Sequence, residues 1–176
     1  RDADVTGVQT CALPILRTAA DVEAVREGLA DGTIDIVATD HAPHTREDKD
    51  CEWAAAAFGM TGLETALSVV QQTMVDTGRM TWADVARVLS TAPARIGRID
   101  EGARPQGRPL EVGEPANVVL VDPTATRVVV PAEQATASAN SPFGGHELPG
   151  AVVATFLRGR ATVFEGRPVE QAEVAR

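Results

Sequence analysis

A β-branched run that ends in a carboxylate is the feature that most constrains the fold of this chain. The run covers Ile34–Thr39, within a predicted buried strand from Thr33 to Thr39, and Asp40 follows it. A loop with His41, Pro43 and His44 comes next. Such runs are typical of strands buried in parallel sheets, and barrel enzymes hold polar groups just past the carboxyl ends of those strands. The run therefore predicts a parallel α/β architecture. Because a carboxylate at that point can bind a metal and move a proton, Asp40 is a candidate catalytic residue and metal ligand. On spacing alone, an aspartate that caps a helix or a turn is an equal alternative.

Capping signals place helices before and after this run. Thr18 with Asp21, and Thr81 with Asp84, have the spacing in which each residue's side chain bonds the backbone of the other. Glycines that follow the apolar periods end the first two helices. The predicted helices are Thr18–Ala30, Gly62–Val75, one that begins at Thr81, and a short one from Pro93 to Gly97.

The sequence changes character near residue 100. A stretch rich in glycine, proline and charge covers residues 102–115. Helices before this stretch and strands after it indicate two structural layers, with the boundary between residues 97 and 113. The predicted strands are Val118–Val121, Arg127–Val130, Val152–Leu157 and Thr162–Phe164.

The first 15 residues do not fit this pattern. Residues 5–15 resemble the conceptual translation of a sequencing-library adapter, and the helix signal at Thr18 follows almost directly. We therefore expect residues 1–15 to be non-native and to pack poorly against the rest of the chain. A natural but poorly patterned N-terminal arm is the alternative.

Composition argues against several classes of protein. With 44% hydrophobic residues in a length of 176, the chain is globular and can form one sizeable core. Its formal net charge of −9 argues against a nucleic-acid partner, because no basic stripe is present to neutralise phosphates. No apolar run approaches the length of a membrane span. If residues 1–15 are non-native, Cys51 is the single cysteine, which fits a reducing cytoplasm.

Two stretches of the sequence resemble a known enzyme family. Residues 38–45, Ala-Thr-Asp-His-Ala-Pro-His-Thr, and residues 57–65, Ala-Phe-Gly-Met-Thr-Gly-Leu-Glu-Thr, are similar to the last barrel strand and the following loop of class I dihydroorotases. Those are zinc enzymes of the amidohydrolase superfamily. The resemblance runs from about Leu16 to about Gly166. It implies the C-terminal part of a (β/α)8 barrel of the TIM type over residues 16–100, followed by strands of a small β-sandwich subdomain and a C-terminal tail over residues 101–176.

The resemblance also implies roles for particular residues. Asp40 would bind zinc and act as the general base and acid, and His44 would contact the substrate rather than the metal. Phe58 and Gly59 would hold dihydroorotate through their backbone. Read without the family, His44 is an exposed loop histidine, Phe58 a core aromatic and Gly59 the residue before the next helix. We expect His41 to be structural or to support a residue that binds the metal or the substrate.

The chain alone does not supply a complete metal site. It has three histidines and one lysine, Lys49, which lies in a charged run, residues 46–52, that we expect to be a solvated loop face. A family site with two zinc ions needs a His-x-His pair, a bridging carboxylate or carboxylated lysine and further histidines, and this sequence has no His-x-His pair. We therefore expect the chain to be the C-terminal portion of a longer enzyme and to be inactive alone.

Three functional hypotheses follow. The first is a dihydroorotase, which hydrolyses the cyclic amide of dihydroorotate reversibly to N-carbamoyl-aspartate in pyrimidine biosynthesis. The second is another cyclic amidohydrolase, such as an allantoinase or hydantoinase, against which the Ala-Pro-His continuation at residues 42–44 speaks. The third is a catalytically inactive scaffold subunit, which the presence of Asp40 and His44 weakens. For the first we expect a small-molecule substrate, no nucleic-acid or membrane partner, a cytoplasmic location and, in the whole protein, a homo-oligomer as one option.

Overall fold

Helices come first and an antiparallel sheet follows in the computed structural model, which describes residues 18–52 and 54–169. The segment 1–15 therefore lies outside the described residues, and its interpretation as non-native stays a prediction. The α-helices are α1 (Ala19–Asp31), α2 (Arg46–Lys49), α3 (Ala66–Val70), α4 (Trp82–Ala86) and α5 (Ala92–Ile96). Two π-helical turns, Gln71–Val75 and Arg87–Thr91, continue α3 and α4. The strands are β1 (Val118–Val128), β2 (Glu147–Leu157), β3 (Arg160–Phe164) and β4 (Arg167–Pro168), with a 3-10 turn at Pro131–Glu133.

Both predicted capping boxes are confirmed. The Thr18 hydroxyl accepts a hydrogen bond from the Asp21 N–H (3.2 Å), and the Thr81 hydroxyl accepts one from the Asp84 N–H (3.3 Å). Each aspartate in turn accepts from the backbone N–H of its threonine at 2.9 Å. Because these signals lie within four consecutive residues, the sequence alone suffices to locate the helix starts.

The capping carboxylates have a consequence for pH. Hydrogen bonds from the Thr81 hydroxyl and then its backbone N–H lower the pKa of Asp84 below the ordinary aspartate value. A lowered pKa contributes stability that is present above the unfolded value of about 3.9 and is lost as pH falls through the folded value.

We therefore expect the unfolding temperature of an Asp84→Asn variant to vary less with pH, between about pH 2 and 5, than that of the parent protein. Thermal unfolding of both proteins over that range measures the difference. Identical pH profiles for the two proteins would contradict this role.

The prediction of a buried sheet strand over residues 33–39 is wrong. The segment is extended and only half-buried, and Asp40 at its end is exposed. Its backbone contacts are to helices, including a hydrogen bond from the Val37 N–H to the Val88 carbonyl at 3.1 Å. Among the described residues the one parallel pairing next to it is the single bridge between His41 and Met60. A parallel strand needs a neighbour on the sheet, and no described segment lies alongside to form a ladder.

The hydrophobic core lies between α1, the extended segment and the helices α3 and α4 with their π turns. Within the helical segments its buried members are three or four residues apart, as amphipathic packing requires. They are Leu29, Val70, Met74, Met80, Val85 and Val88. Partly buried side chains that include Ile34 and Val37 close the core from the side of the extended segment.

The sheet has the order β1-β2-β3-β4 and is antiparallel throughout. Where two strands were predicted, the structure has one strand, Val118–Val128, with irregularities after Leu120 and after Asp122. The second irregularity contains Pro123, which has no N–H to donate to the ladder. The Gln71 side chain donates to the Pro123 carbonyl (2.9 Å), and this bond joins the helical part to the sheet.

Among the described residues, no helix combines the length and the apolar character needed to cross a membrane.

Candidate active site

Residues 42–59, which we call the site loop, are closed at their base. His41 and Met60 form the parallel bridge, and the Ala42 N–H donates to the Met60 carbonyl at 3.0 Å. The bridge brings the segment that follows Asp40 next to the end of the loop at Gly59. Four candidate residues that are separated in sequence therefore come from the two joined ends of one loop.

Asp40 has a backbone conformation that few residues other than glycine adopt. Its φ is +45°, and the side chain is exposed. Aspartate tolerates this left-handed region better than most residues, and such conformations concentrate at functional sites. Within residues 18–52 and 54–169, the Asp40 carboxylate has no hydrogen-bond or ion-pair partner and caps no helix, since Thr45 caps α2. The helix-cap alternative is therefore not supported, whereas the positive φ is compatible with an aspartate in a turn.

His44 folds back onto the site loop and is not the fully exposed loop histidine of the alternative interpretation. Its Nε2 lies 2.6 Å from the Phe58 carbonyl oxygen, so this nitrogen carries the proton and donates. The ring is half-buried, and Nδ1 is left to serve as an acceptor. The Phe58 side chain is 67% exposed, which contradicts the alternative that it is a core aromatic.

Gly59 occupies a position that no other residue fits without strain. Its φ is +121°, and a Cβ atom there would lie 2.5 Å from the Ala42 Cβ and 2.9 Å from the His44 Nε2. The absence of a side chain lets the Phe58–Gly59 backbone pack directly against the other end of the loop. The structure thus brings His44, Phe58 and Gly59 together.

His41 is structural, as expected. Its Nδ1 accepts hydrogen bonds from the N–H groups of Gly62 (3.0 Å) and Leu63 (3.3 Å). These bonds hold the residues after the loop in a turn, so α3 begins at Ala66 rather than at the predicted Gly62.

Residues 46–48 and 50–52 are exposed, as expected, and Lys49 is the exception. The lysine is buried, and its ammonium group donates to the carbonyls of Ala57 (2.7 Å) and Gly59 (3.2 Å). A buried ammonium needs such partners to offset its loss of hydration. The helix α2, capped by Thr45, places Lys49 where it supports the end of the site loop.

Two further residues of the site were missed by sequence reasoning. Ser138 and Asn140 contact the site loop from a segment about 90 residues further along, with bonds to Ala42, His44 and Gly59. Serine and asparagine in a loop before Pro142 predict only a turn, and the partners are too distant for any local pattern to show. A cavity of about 420 Å³ lies between these parts, with His44, Lys49, Ser138 and Asn140 in its lining. Asp40, Phe58 and Gly59 are not in that lining, so we do not place the substrate there.

The described residues do not complete a metal centre. They contain no group of three or more histidine, cysteine, aspartate or glutamate side chains that could hold a metal ion. A zinc site needs at least three protein ligands. Asp40 fits as one carboxylate ligand, but in the part of the chain that the structure describes it belongs to no group of three or more such side chains.

Comparison with known proteins identifies the family. The model of the amidohydrolase family matches residues 1–162. The chain belongs to the amidohydrolase family. The match includes the first 15 residues.

This amidohydrolase chain is similar to dihydroorotases in sequence. It is 62% identical to the dihydroorotase of Streptomyces coelicolor over 154 residues, which are 88% of this chain and 35% of that protein. It is 56% identical to the dihydroorotase of Mycobacterium tuberculosis over 154 residues, 88% of this chain and 35% of that protein. The chain therefore spans about 35% of the length of these curated relatives.

The amidohydrolase chain is similar to hydantoinases among solved structures. An L-hydantoinase (dihydropyrimidinase) from Arthrobacter aurescens matches with a TM-score of 0.80 and 29% identity, over 90% of this chain and 35% of that one. A D-hydantoinase from Bacillus sp. AR9 matches with a TM-score of 0.81 and 25% identity, over 97% of this chain and 37% of that one. The helical part and the sheet are thus arranged as in the corresponding third of those enzymes.

Proposed function

We propose that this chain is the C-terminal portion of a class I dihydroorotase, with part of the (β/α)8 barrel in residues 16–100 and strands of the β-sandwich in residues 101–176. The whole enzyme would hydrolyse the cyclic amide of dihydroorotate reversibly to N-carbamoyl-aspartate. The observation that carries the proposal is the 62% identity to a dihydroorotase, about twice the 29% identity to a hydantoinase of the same fold. The meeting of His44, Phe58 and Gly59 next to Asp40 supports it.

We assign Asp40 the role of general base and acid and of one metal ligand. Hydrolysis of an amide requires that a proton leave the nucleophile and reach the departing nitrogen, and one carboxylate can do both in turn. The exposed position and the lack of an internal partner leave Asp40 able to do so. We propose Zn²⁺ as the metal, two ions in a complete site, with the remaining ligands outside this chain. When bound, zinc supplies an activated nucleophile and polarises the carbonyl.

We assign substrate binding to His44 and to the backbone of Phe58 and Gly59. A cyclic imide edge presents alternating N–H and C=O groups, which match the carbonyl of Phe58 and the N–H of Gly59. The Phe58 carbonyl has two lone pairs, so the bond from His44 leaves one for the substrate. The His44 ring would then contact the substrate without losing the bond that orients it.

A hydantoinase is the second candidate, because two solved hydantoinases match the fold of this chain with TM-scores of 0.80 and 0.81. Both candidates act on small cyclic amides. The net charge of −9 supports the absence of a nucleic-acid partner, and we propose a cytoplasmic location from the single described cysteine, Cys51.

Two chimeric enzymes distinguish these candidates. In one, this chain's matching residues replace the equivalent stretch of the Streptomyces coelicolor dihydroorotase; we call it the chimera. In the other, they replace the equivalent stretch of the Arthrobacter aurescens hydantoinase. We expect turnover of dihydroorotate by the chimera and no turnover of hydantoin by the second protein. The opposite pattern would assign the chain to the hydantoinases.

His44→Ala tests the substrate role in the chimera. We expect the KM for dihydroorotate to rise about 10- to 100-fold, the effect of losing a hydrogen bond of ~1.5–3 kcal/mol to a charged substrate. Metal content should stay at the parental level, as measured by metal analysis. His146→Ala, which removes an exposed histidine elsewhere, is the matched control and should change neither quantity. Loss of metal in His44→Ala would show that the residue is a ligand instead.

A further inference from the structure

The side chains of Ser138 and Asn140, which we call the clasp, join both ends of the site loop. The Asn140 Nδ2 donates to the Ala42 carbonyl at 2.9 Å and to the Gly59 carbonyl at 3.2 Å. One amide group thus fixes the start and the end of the loop with respect to each other. The backbone carbonyl of Asn140 accepts a hydrogen bond from the Thr61 N–H (3.2 Å), and this bond joins the segment that carries the clasp to the residues after the loop.

Ser138 holds the backbone of His44 on both sides. The His44 N–H donates to the Ser138 Oγ at 3.2 Å, and the Ser138 hydroxyl donates to the His44 carbonyl at 2.6 Å. The Ser138 hydroxyl also lies within hydrogen-bonding distance of the Asn140 Oδ1, so its single proton serves either of these two acceptors. Ser138 is buried, although it also lines the cavity.

Polar bonds hold the loop in place at this point because apolar packing is incomplete. The cavity of about 420 Å³ is lined by His44, Ser138 and Asn140, so these residues have open space beside them. Gly59 cannot carry a side chain that would fix the loop by packing. Removing the Asn140 amide would leave the Ala42 carbonyl without its donor and the Gly59 carbonyl with Lys49 only.

We propose that Ser138 and Asn140 are positioning residues for substrate binding, which set the His44 ring and the Gly59 backbone for the cyclic imide. They touch no reacting atom and act through the site loop. Through the clasp, a segment after β1 controls the affinity of a site that lies about 90 residues earlier in the chain. This inference rests on the proposed function only for the identity of the substrate.

The test compares Asn140→Ala with a matched control, Asn117→Ala, in the chimera. Asn117 makes an equivalent pair of bonds, since its Nδ2 donates to the Pro105 carbonyl (2.8 Å) and its Oδ1 accepts from the Arg158 N–H (2.8 Å). Both variants lose comparable stabilising bonds, so a general loss of stability affects both. We expect Asn140→Ala to raise the KM for dihydroorotate about tenfold with kcat nearly unchanged, and Asn117→Ala to leave the KM at the parental value.

Two conservative variants distinguish the hydrogen bonds of the Ser138 hydroxyl and the Asn140 amide from the packing of these side chains. Ser138→Thr keeps the hydroxyl, so its KM for dihydroorotate should stay close to the parental value. Ser138→Ala lacks the hydroxyl and should have a higher KM. Asn140→Asp keeps the shape but loses both donors and sets an oxygen against the Ala42 and Gly59 carbonyls, so it should raise the KM at least as much as Asn140→Ala does. An unchanged KM in Asn140→Ala, or an equal rise in Asn117→Ala, would overturn the proposal.

A second readout does not depend on activity. The ¹⁵N signals of the His44 ring report the hydrogen bond from Nε2 to the Phe58 carbonyl. We expect this signal to shift or broaden in Asn140→Ala and to stay unchanged in Asn117→Ala. If the chimera does not turn over dihydroorotate, the proposed function fails, and this comparison still decides the clasp: an unchanged signal in Asn140→Ala overturns it.

Discussion

Replacing Asp40 by asparagine is expected to lower the turnover of dihydroorotate by the chimera about 10²- to 10⁴-fold while the protein stays folded. Asparagine keeps the size and one oxygen of the side chain but cannot take up and return a proton. Any weakening of metal binding would lower the rate further. Steady-state kinetics with metal analysis on the same preparations measures both effects.

Asp35→Asn is the matched control for this substitution. Asp35 is an exposed carboxylate on the same extended segment, with no role in the proposed site. We expect parental turnover from it. Near-parental turnover by Asp40→Asn, or an equal loss in both variants, would remove Asp40 from the catalytic role.

Replacing Gly59 by alanine is expected to lower kcat/KM for dihydroorotate about 100-fold. The new methyl group would meet the Ala42 Cβ at 2.5 Å and the His44 Nε2 at 2.9 Å, and the φ of +121° is itself strained for alanine. The loop must move to accommodate it, and a displacement of about 1 Å at a binding site can cost about 10²-fold in rate. The kinetic constants and the unfolding temperature would be measured together.

Gly113→Ala separates backbone strain from the displacement of the site. Gly113 also has a positive φ, +99°, but a Cβ there would meet no atom within 4 Å. We expect this variant to lose some stability and no activity. If Gly59→Ala keeps the parental kcat/KM, the backbone at Gly59 does not form part of the substrate site.

Features that depend on neighbouring residues in sequence were predictable. The capping boxes at Thr18 and Thr81 use partners three residues away, and the helices begin there as predicted. The strand at residues 33–39 could not be predicted in the same way, because a ladder depends on a neighbouring strand and not on the β-branched run itself. Two strands were predicted where the structure has the single strand β1. The reason is that β2 pairs with the chain on both sides of the irregularity at Pro123.

In the candidate site, too, the residues in local motifs were predictable and the long-range contacts were not. Asp40, His44, Phe58 and Gly59 lie in two short motifs, and the structure joins the last three through one hydrogen bond and one close backbone approach. The supports of the site depend on long-range contacts that no local pattern indicates. The sequence alone predicts a solvated lysine at Lys49 and a turn residue at Asn140. In the folded chain both side chains donate hydrogen bonds to carbonyls of the site loop.

The rate at which the chimera hydrolyses dihydroorotate tests most directly whether this chain supplies the strand-end carboxylate and substrate loop of a dihydroorotase. We expect its kcat/KM to lie within about tenfold of that of the Streptomyces coelicolor enzyme, a difference of ~1.4 kcal/mol in transition-state stabilisation. The 176-residue chain assayed alone should show no activity. A folded chimera with the parental metal content and no measurable hydrolysis of dihydroorotate would contradict the proposed function.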